Sequence, residues 1–388
     1  MSPGARMEYV KAVAVRYKRA SKKEKGIILD ELCHNCGYHR KHAIRVLTHY
    51  KRYSKPKLKN RGKPSVYNKP SIMKPLKVIW RAAHLPCSKR LKAILPLWLP
   101  SYSKEYGELS EAVTTALHRI SAPTIDRLLT PARIQYGGRG RSTTKPGTLL
   151  KTHIPIKTNQ WDEKRPGFLE ADTIAHCGES MAGMFAFTLD SVDIATGWTE
   201  QRAVWGKGET GVLQQIQDIE GSLPFPLLGF DSDNGSEFLN YHLMRHFHKR
   251  KKPVQFTRSR PYHKDDNAHV EQKNWTHVRQ WLGYNRFDDP EAVTLMNKLY
   301  KTEWRLYHNF FLPSVKLLEK KRIASKTIKR YDTPKTPYQR VLESPDIQDS
   351  VKQSLKQQFS QMNPFIFRKA IEKKLSRIFN LIKSYQQT

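Results

Sequence analysis

Charge is spread along this 388-residue chain in a way that leaves one stretch free to fold as a compact α/β layer. Residues 1–160 carry 34 Lys and Arg against 8 Asp and Glu, residues 161–310 carry 18 against 21, and residues 311–388 carry 17 against 6. The net charges are +26, −3 and +11, within a total of +34. Self-repulsion of that size calls for a polyanionic partner, and basic arms around a nearly neutral middle fit DNA gripped on both sides of a core that keeps its own acids. Basic residues serving solubility alone would not produce the partition, and residues 51–100 contain no Asp or Glu at all. An apolar content of 38% is enough for two or three cores. Arg6, Lys11, Arg16, Lys18 and Arg19 interrupt the first twenty residues, unlike a secretory signal, and no run approaches a membrane span. Four cysteines in so long a chain fit a reducing compartment, so a soluble, cytoplasmic protein with no membrane partner is expected.

The basic amino-terminal part divides into four pieces. Ser21-Lys-Lys-Glu24 is a capping box that starts a helix, Gly37 breaks it, and Tyr38 to His49 resumes helical spacing. Residues 1–50 therefore read as a helix-turn-helix-like DNA-binding domain, with His39, Arg40, Lys41 and Arg45 on the recognition helix. Cys33, Cys36, His39 and His42 raise zinc, but zinc modules normally separate their ligand pairs by a longer insert and all four fall within ten residues here, so no zinc is assigned and the cluster stays open. Residues 51–69 form a basic linker, and 70–136 a second helical, DNA-binding domain with helical periods over Ser71–Ala83 and Ser110–Ile134. Residues 137–160 are Gly-rich and basic and read as another linker.

Within 161–310 the pattern changes. Phe168–Ile174, Met184–Leu189 and Trp198–Val204 read as successive strands. A helix over Glu209–Glu220, a strand over Leu227–Asp231, a helix over Glu237–Lys249, a strand over Val254–Thr257 and a helix over Asp266–Leu282 follow. This α/β layout, a mixed sheet with flanking helices, matches a ribonuclease-H-like core. Residues 311–388 read as a mainly helical basic tail, ending in a helix that Asn363-Pro364 begins.

Acids end the apolar runs of this core. On the first strand the pleat puts Glu170 and Asp172 on one face, with Asp172 nearer the strand's end. Asp231 and Asp233 share a face of the fourth strand, so periodicity does not choose between them. On the last helix Asn267, Glu271, Asn274 and Trp275 share a side; a lone Glu there is ordinarily solvated. Carboxylates converging from two strand ends and a helix would hold a pair of hard divalent cations, the arrangement for in-line phosphoryl transfer. Arg258, Arg260, Lys264, Lys273, Asn274 and Arg279 are the candidates to hold a DNA strand beside them.

The stretch Gly167–Arg286, 120 residues, resembles the catalytic core of the retroviral-integrase-type DDE transposases of bacterial insertion sequences. The matching pieces are Glu-Ala-Asp172-Thr, Asp-Ile-Ala-Thr-Gly-Trp198, Asp-Ser-Asp233-Asn-Gly-Ser-Glu-Phe238, Arg-Ser-Arg-Pro-Tyr262 and Asp-Asn-Ala-His-Val-Glu271-Gln-Lys-Asn274. The resemblance assigns Asp172, Asp233 and Glu271 as catalytic metal ligands, leaves Asp231 in support, and places Glu271 a family-typical 38 positions after Asp233. It implies two Mg2+ ions, with Mn2+ able to substitute, and double-stranded DNA as partner, both the element's terminal inverted repeats and the target. It further implies at least a dimer in the active complex and association with the bacterial nucleoid. The implied reaction is cleavage at element ends followed by strand transfer of the freed 3′-hydroxyl. A catalytically inactive DNA-binding regulator and a hydrolysis-only nuclease are the alternatives.

Overall fold

The computed structural model describes residues 1–49, 66–136, 163–233, 235, 237–258, 268–323 and 326–385, so nearly all of both expected linkers, with Arg260 and Lys264, lies outside the described residues. The chain divides into two compact units, Met1–Val66 and Tyr67–Thr388. In the first, helices Pro3–Arg19, Lys22–Cys36 and Arg40–Thr48 bury Val10, Val13, Leu32, Ala43 and Leu47 in one core. The capping box forms: Ser21 N–H donates to Glu24 Oε2 at 2.7 Å and Glu24 N–H to Ser21 Oγ at 3.4 Å. Gly37, at φ +67°, ends the second helix in the left-handed conformation that glycine tolerates best.

The second unit is built on an α/β core with a mixed five-stranded sheet of order β3-β2-β1-β4-β5. Its strands are β1 Phe168–Ala175, β2 Ala186–Asp193, β3 Thr199–Trp205, β4 Gly229–Ser232 and β5 Gln255–Arg258. β1, β2 and β3 form an antiparallel meander, while β4 pairs parallel with β1 and β5 parallel with β4. The alternation read on β1 decides its surroundings. Leu169 and Ala171 face a core made with Val212, Ile216, Ile219, Leu243 and Phe247 from helices Glu209–Ser222 and Tyr241–His248. Glu170 and Asp172 point to the other face, where helix Ala268–Lys273 continues through a π-helical stretch Asn274–Arg279 into Gln280–Leu282. The helix expected over Glu237–Lys249 starts only at Tyr241, because the Asn240 side chain takes the cap and accepts from Leu243 N–H at 2.9 Å.

Residues 70–136 do not keep a core of their own. Leu76, Ile79, Trp80, Leu95, Trp98 and Leu129 join one apolar cluster with Trp281, Trp304, Tyr307, Phe311, Ile371 and Ile378. Trp98 Nε1 donates to Phe311 O at 3.2 Å and Tyr307 Oη to Ala82 O at 2.5 Å, tying positions more than two hundred residues apart. The segment after residue 310 carries an antiparallel hairpin, β6 Leu317–Ile323 and β7 Lys326–Tyr331, before helices Pro337–Glu343, Asp349–Ser360 and Pro364–Tyr385. Among the described residues no helix is long and apolar enough to cross a membrane.

Candidate functional site: paired acids under a capped helix

Register, more than sequence motif, builds this site. In the parallel pairing of β1 with β4, Glu170 stands opposite Asp231 and Ala171 opposite Ser232. The next residues, Asp172 and Asp233, therefore emerge side by side where β4 ends, with neighbouring strands about 4.8 Å apart. On the other side of β1, Asp190 of β2 stands opposite Asp172, and Gln201 of β3 opposite Asp190. A row of polar side chains thus crosses one face of the sheet. Gln201 Nε2 donates to Asp190 Oδ1 at 2.8 Å, and Thr257 Oγ1 of β5 donates to Asp231 Oδ1 at 2.5 Å.

The acids pay for their burial in proton affinity. Burial, then the Asp233 charge beside it, pushes Asp172 up to about 7 against hydrogen bonds from Asn274 and Thr173. Asp233 is raised by burial and by Glu237, although Gly235 N–H donates to its Oδ1 at 3.0 Å. Burial pushes Asp190 to about 7 and Glu170 to about 8. Lys207, exposed on the turn after β3, brings a cation to this side, with its Nζ 2.6 Å from Glu237 Oε1. Burial would raise Glu237 as well, but the bonds from Lys207 and Thr173 hold it low.

The helix that begins at Ala268 is fastened to β1 at two points. Glu170 Oε2 accepts the backbone N–H groups of His269 at 3.1 Å and Val270 at 3.2 Å, capping the helix from a strand nearly a hundred residues earlier. Asn274 Nδ2 donates to Asp172 Oδ2 at 2.6 Å. Four or five helical residues rise about 6–7.5 Å, close to the roughly 6.6 Å that separates alternate residues of a strand, so the helix runs alongside β1. Glu271 lies on the first turn, three residues before Asn274, exposed and near enough to Glu170 to raise its pKa. Among the described residues no three His, Cys, Asp or Glu stand in metal-holding geometry. The structure brings Asp172 and Asp233 together and leaves Glu271 on the adjoining helix.

The expected DNA contacts divide. His39, Arg40, Lys41 and Arg45 are exposed on the third helix of the first unit, with Arg40 ion-paired to Asp30. Cys36 is buried in that unit's core, while His39 is exposed at the start of the helix. Arg258 is buried at the end of β5. Arg279 donates to Ala175 O at 2.8 Å and lies over the Tyr284 ring, so it fastens the helix to β1. Lys273 corrects the expectation of a cation facing DNA beside the acids: it is only 7% exposed, and burial followed by the neighbouring Arg90 lowers it to about 7. Asn274 contacts Asp172 itself.

Sequence reading missed Glu170, Asp190, Lys207 and Glu237. Glu170 and Glu237 had signals, the first sharing a strand face with Asp172 and the second lying in the Asp-Asn-Gly motif; Asp190 and Lys207 had none until register and turn placed them. The Asp-Ile-Ala-Thr-Gly-Trp198 motif is a structural clasp. Asp193 Oδ2 accepts Thr196 N–H at 2.7 Å, its Oδ1 accepts Gly167 N–H at 2.7 Å, and Gly197 takes φ +72°.

No protein-family model matches the chain. The uncharacterized protein y4rM of Sinorhizobium fredii is 38% identical to it over 342 residues, which span 88% of this chain and 96% of that protein. The chain belongs to the same family as y4rM.

Proposed function

We propose that this chain is a DNA transposase of the retroviral-integrase-type DDE class, cleaving at element ends and joining the freed 3′-hydroxyl to target DNA. The observation that carries the reading is the pairing of Asp172 with Asp233 by strand register, under a helix whose Asn274 reaches Asp172. Strand order and directions are compatible with a ribonuclease-H-like fold, in which an antiparallel meander precedes strands parallel to the first.

The donor set fits a hard divalent cation in part. The Asp233 charge raises the proton affinity of half-buried Asp172, and among the described residues Asn274 Oδ1 is buried without a hydrogen-bond partner, so both charge and a lone pair are open to a positive group. Asp172 and Asp233 would hold Mg2+, or Mn2+ in its place, with Glu271 as the further ligand. When bound, the metal lowers the pKa of an attacking water or 3′-hydroxyl and stabilises the departing oxygen. Asn274 fixes the Asp172 carboxylate, Glu170 holds the helix carrying Asn274 and Glu271, and Lys207 offers a charge at the rim for a DNA phosphate. His39, Arg40, Lys41 and Arg45 would read element ends as a recognition helix, in a complex of at least two copies on the bacterial nucleoid.

A strand-joining assay with labelled element ends, run with and without Mg2+, tests the reading. Joined products support transposition; nicks without joining indicate a nuclease, and mobility shifts without cutting a DNA-binding regulator. A truncation adds a second test. Because Met1–Val66 and Tyr67–Thr388 have separate cores, removing residues 1–66 is expected to leave a cooperatively folding chain that still binds DNA but has lost its preference for element ends. Removing residues 1–150 takes Trp80 and Trp98 from the second core and is expected to abolish that folding transition. Unchanged end preference in the shorter truncation would discard the recognition role of the first unit.

A further inference from the structure

One side of the acid-site helix borders a cavity of about 70 Å3 that the proposed chemistry does not use. Lys273, Thr276, His277 and Gln280 form its helical wall, the i, i+3, i+4, i+7 stripe of one face. His84 and Arg90 come from the turn and helix after Trp80, and Leu312–Ser314 closes the remaining side. Among the described residues two cationic side chains line the space and no carboxylate does, although the Asp190 charge is near enough to act on Lys273. Lys273 is 7% exposed, and its Nζ lies 3.5 Å from His277 Nε2. Burial lowers His84 to about 4 and His277 well below its ordinary value, so both imidazoles are neutral hydrogen-bonding groups near pH 7. A single water needs roughly 10–15 Å3 of such space, which leaves room here for a small tetrahedral anion.

At buried Lys273 the repulsion of half-buried Arg90 outweighs the attraction of Asp190, so in a chain of charge +34 an anion that joined the two cations in this polar cavity would offset their cost. We propose that this cavity is an oxyanion site that takes a phosphate group, with Arg90 and Lys273 supplying charge and His84 a hydrogen bond, while Thr276, bonded to Gln272 O and to His277 Nδ1, holds the His277 ring against Lys273. It stands on the cavity and its lining, independently of the enzymatic reading. Either a DNA backbone phosphate or a free phosphoanion has the required chemistry.

Thermal melting of the full chain in sodium phosphate and in sodium chloride, at equal pH and ionic strength, tests it. Phosphate is expected to raise the melting temperature by about 3 °C over chloride, and both Arg90→Gln and Lys273→Met are expected to lose that shift. Arg90 is half-buried, so its variant keeps the test readable should Lys273→Met fold poorly. Duplex binding then separates the sources. Roughly tenfold weaker binding by Arg90→Gln, with the salt dependence reduced by about one ion, identifies a DNA phosphate; unchanged duplex binding with the lost phosphate shift identifies a free phosphoanion. Equal melting in phosphate and chloride for the parent chain, or a shift that survives Arg90→Gln, overturns the site.

Discussion

Asp172→Asn is expected to bring Mg2+-dependent cleavage and joining to background while leaving duplex binding within several-fold and making the folded chain more stable at pH 8. The first effect follows from losing a charged oxygen donor where two half-buried carboxylates meet. The second follows from shape. The new amide is isosteric, and a flipped Asn274 would turn its Oδ1, which has no partner among the described residues, toward the added NH2, so the contact between strand and helix survives. The third is proton linkage. Asp172 rises from 3.8 in the unfolded chain to about 7 in the folded one, so below pH 3.8 both states are protonated and the substitution changes little. Between pH 3.8 and 7 the folded state retains a proton that the unfolded chain releases, and the parent loses stability as pH rises; above 7 the full penalty applies.

The amide does not titrate, so the advantage of the variant grows through that window and then levels off. A shift of that size corresponds to at most about 4 kcal/mol, and remaining solvent contact at Asp172 reduces the gain to about 1–3 kcal/mol. Urea unfolding of both proteins at pH 4, 6 and 8 measures it, and the buried histidines and remaining acids largely cancel in the difference. Equal stabilities at pH 8 would remove the electrostatic crowding, and retained cleavage would remove Asp172 from the site.

Period-two alternation on β1 was enough to place Glu170 and Asp172 on one face, and the Ser21 capping box and Asn363 helix start were legible for the same local reason. Helix Ser88–Tyr106 was not. Pro96 and Pro100 lie inside it, and a proline normally argues against a helix interior; burial of Leu95, Trp98, Leu99 and Tyr102 against distant helices offsets the missing N–H bonds. Helix Pro3–Arg19 was hidden differently, since Val10, Val13 and Ala14 make a narrow apolar stripe among charges that reads as a solvated segment.

At the site, sequence supplied the acids but not their surroundings. Periodicity left Asp231 and Asp233 open and only the family resemblance chose Asp233; the β1–β4 register ends with Asp233 beside Asp172 and Asp231 bonded to Thr257. Lys273 shows the limit most plainly. By composition it belongs with the cations that hold DNA, yet its position in the i, i+4 stripe with His277 turns it inward. Side-chain type does not reveal which face of a helix a neighbouring element will cover.

Glu170 provides the second large effect, because one carboxylate orders the whole element that carries Asn274 and Glu271. Glu170→Ala is expected to cost about 2–3 kcal/mol, since it leaves the N–H groups of His269 and Val270 without their acceptor at the start of a packed helix. DNA cleavage should fall at least about tenfold as the helix loses its register on β1, while duplex binding holds. Glu170→Gln separates this positioning role from any role of charge. Its side-chain oxygen can accept the same two N–H groups, and the parent carboxyl, raised from 4.5 to about 8, is already largely protonated at pH 7. The folded pKa is raised, so the parent loses stability between pH 4.5 and 8 and Glu170→Gln does not; its relative stability should climb through that window, with cleavage near the parent level. If Glu170→Gln were as inactive as Glu170→Ala, the carboxyl would be acting through its charge and not as the cap of the helix.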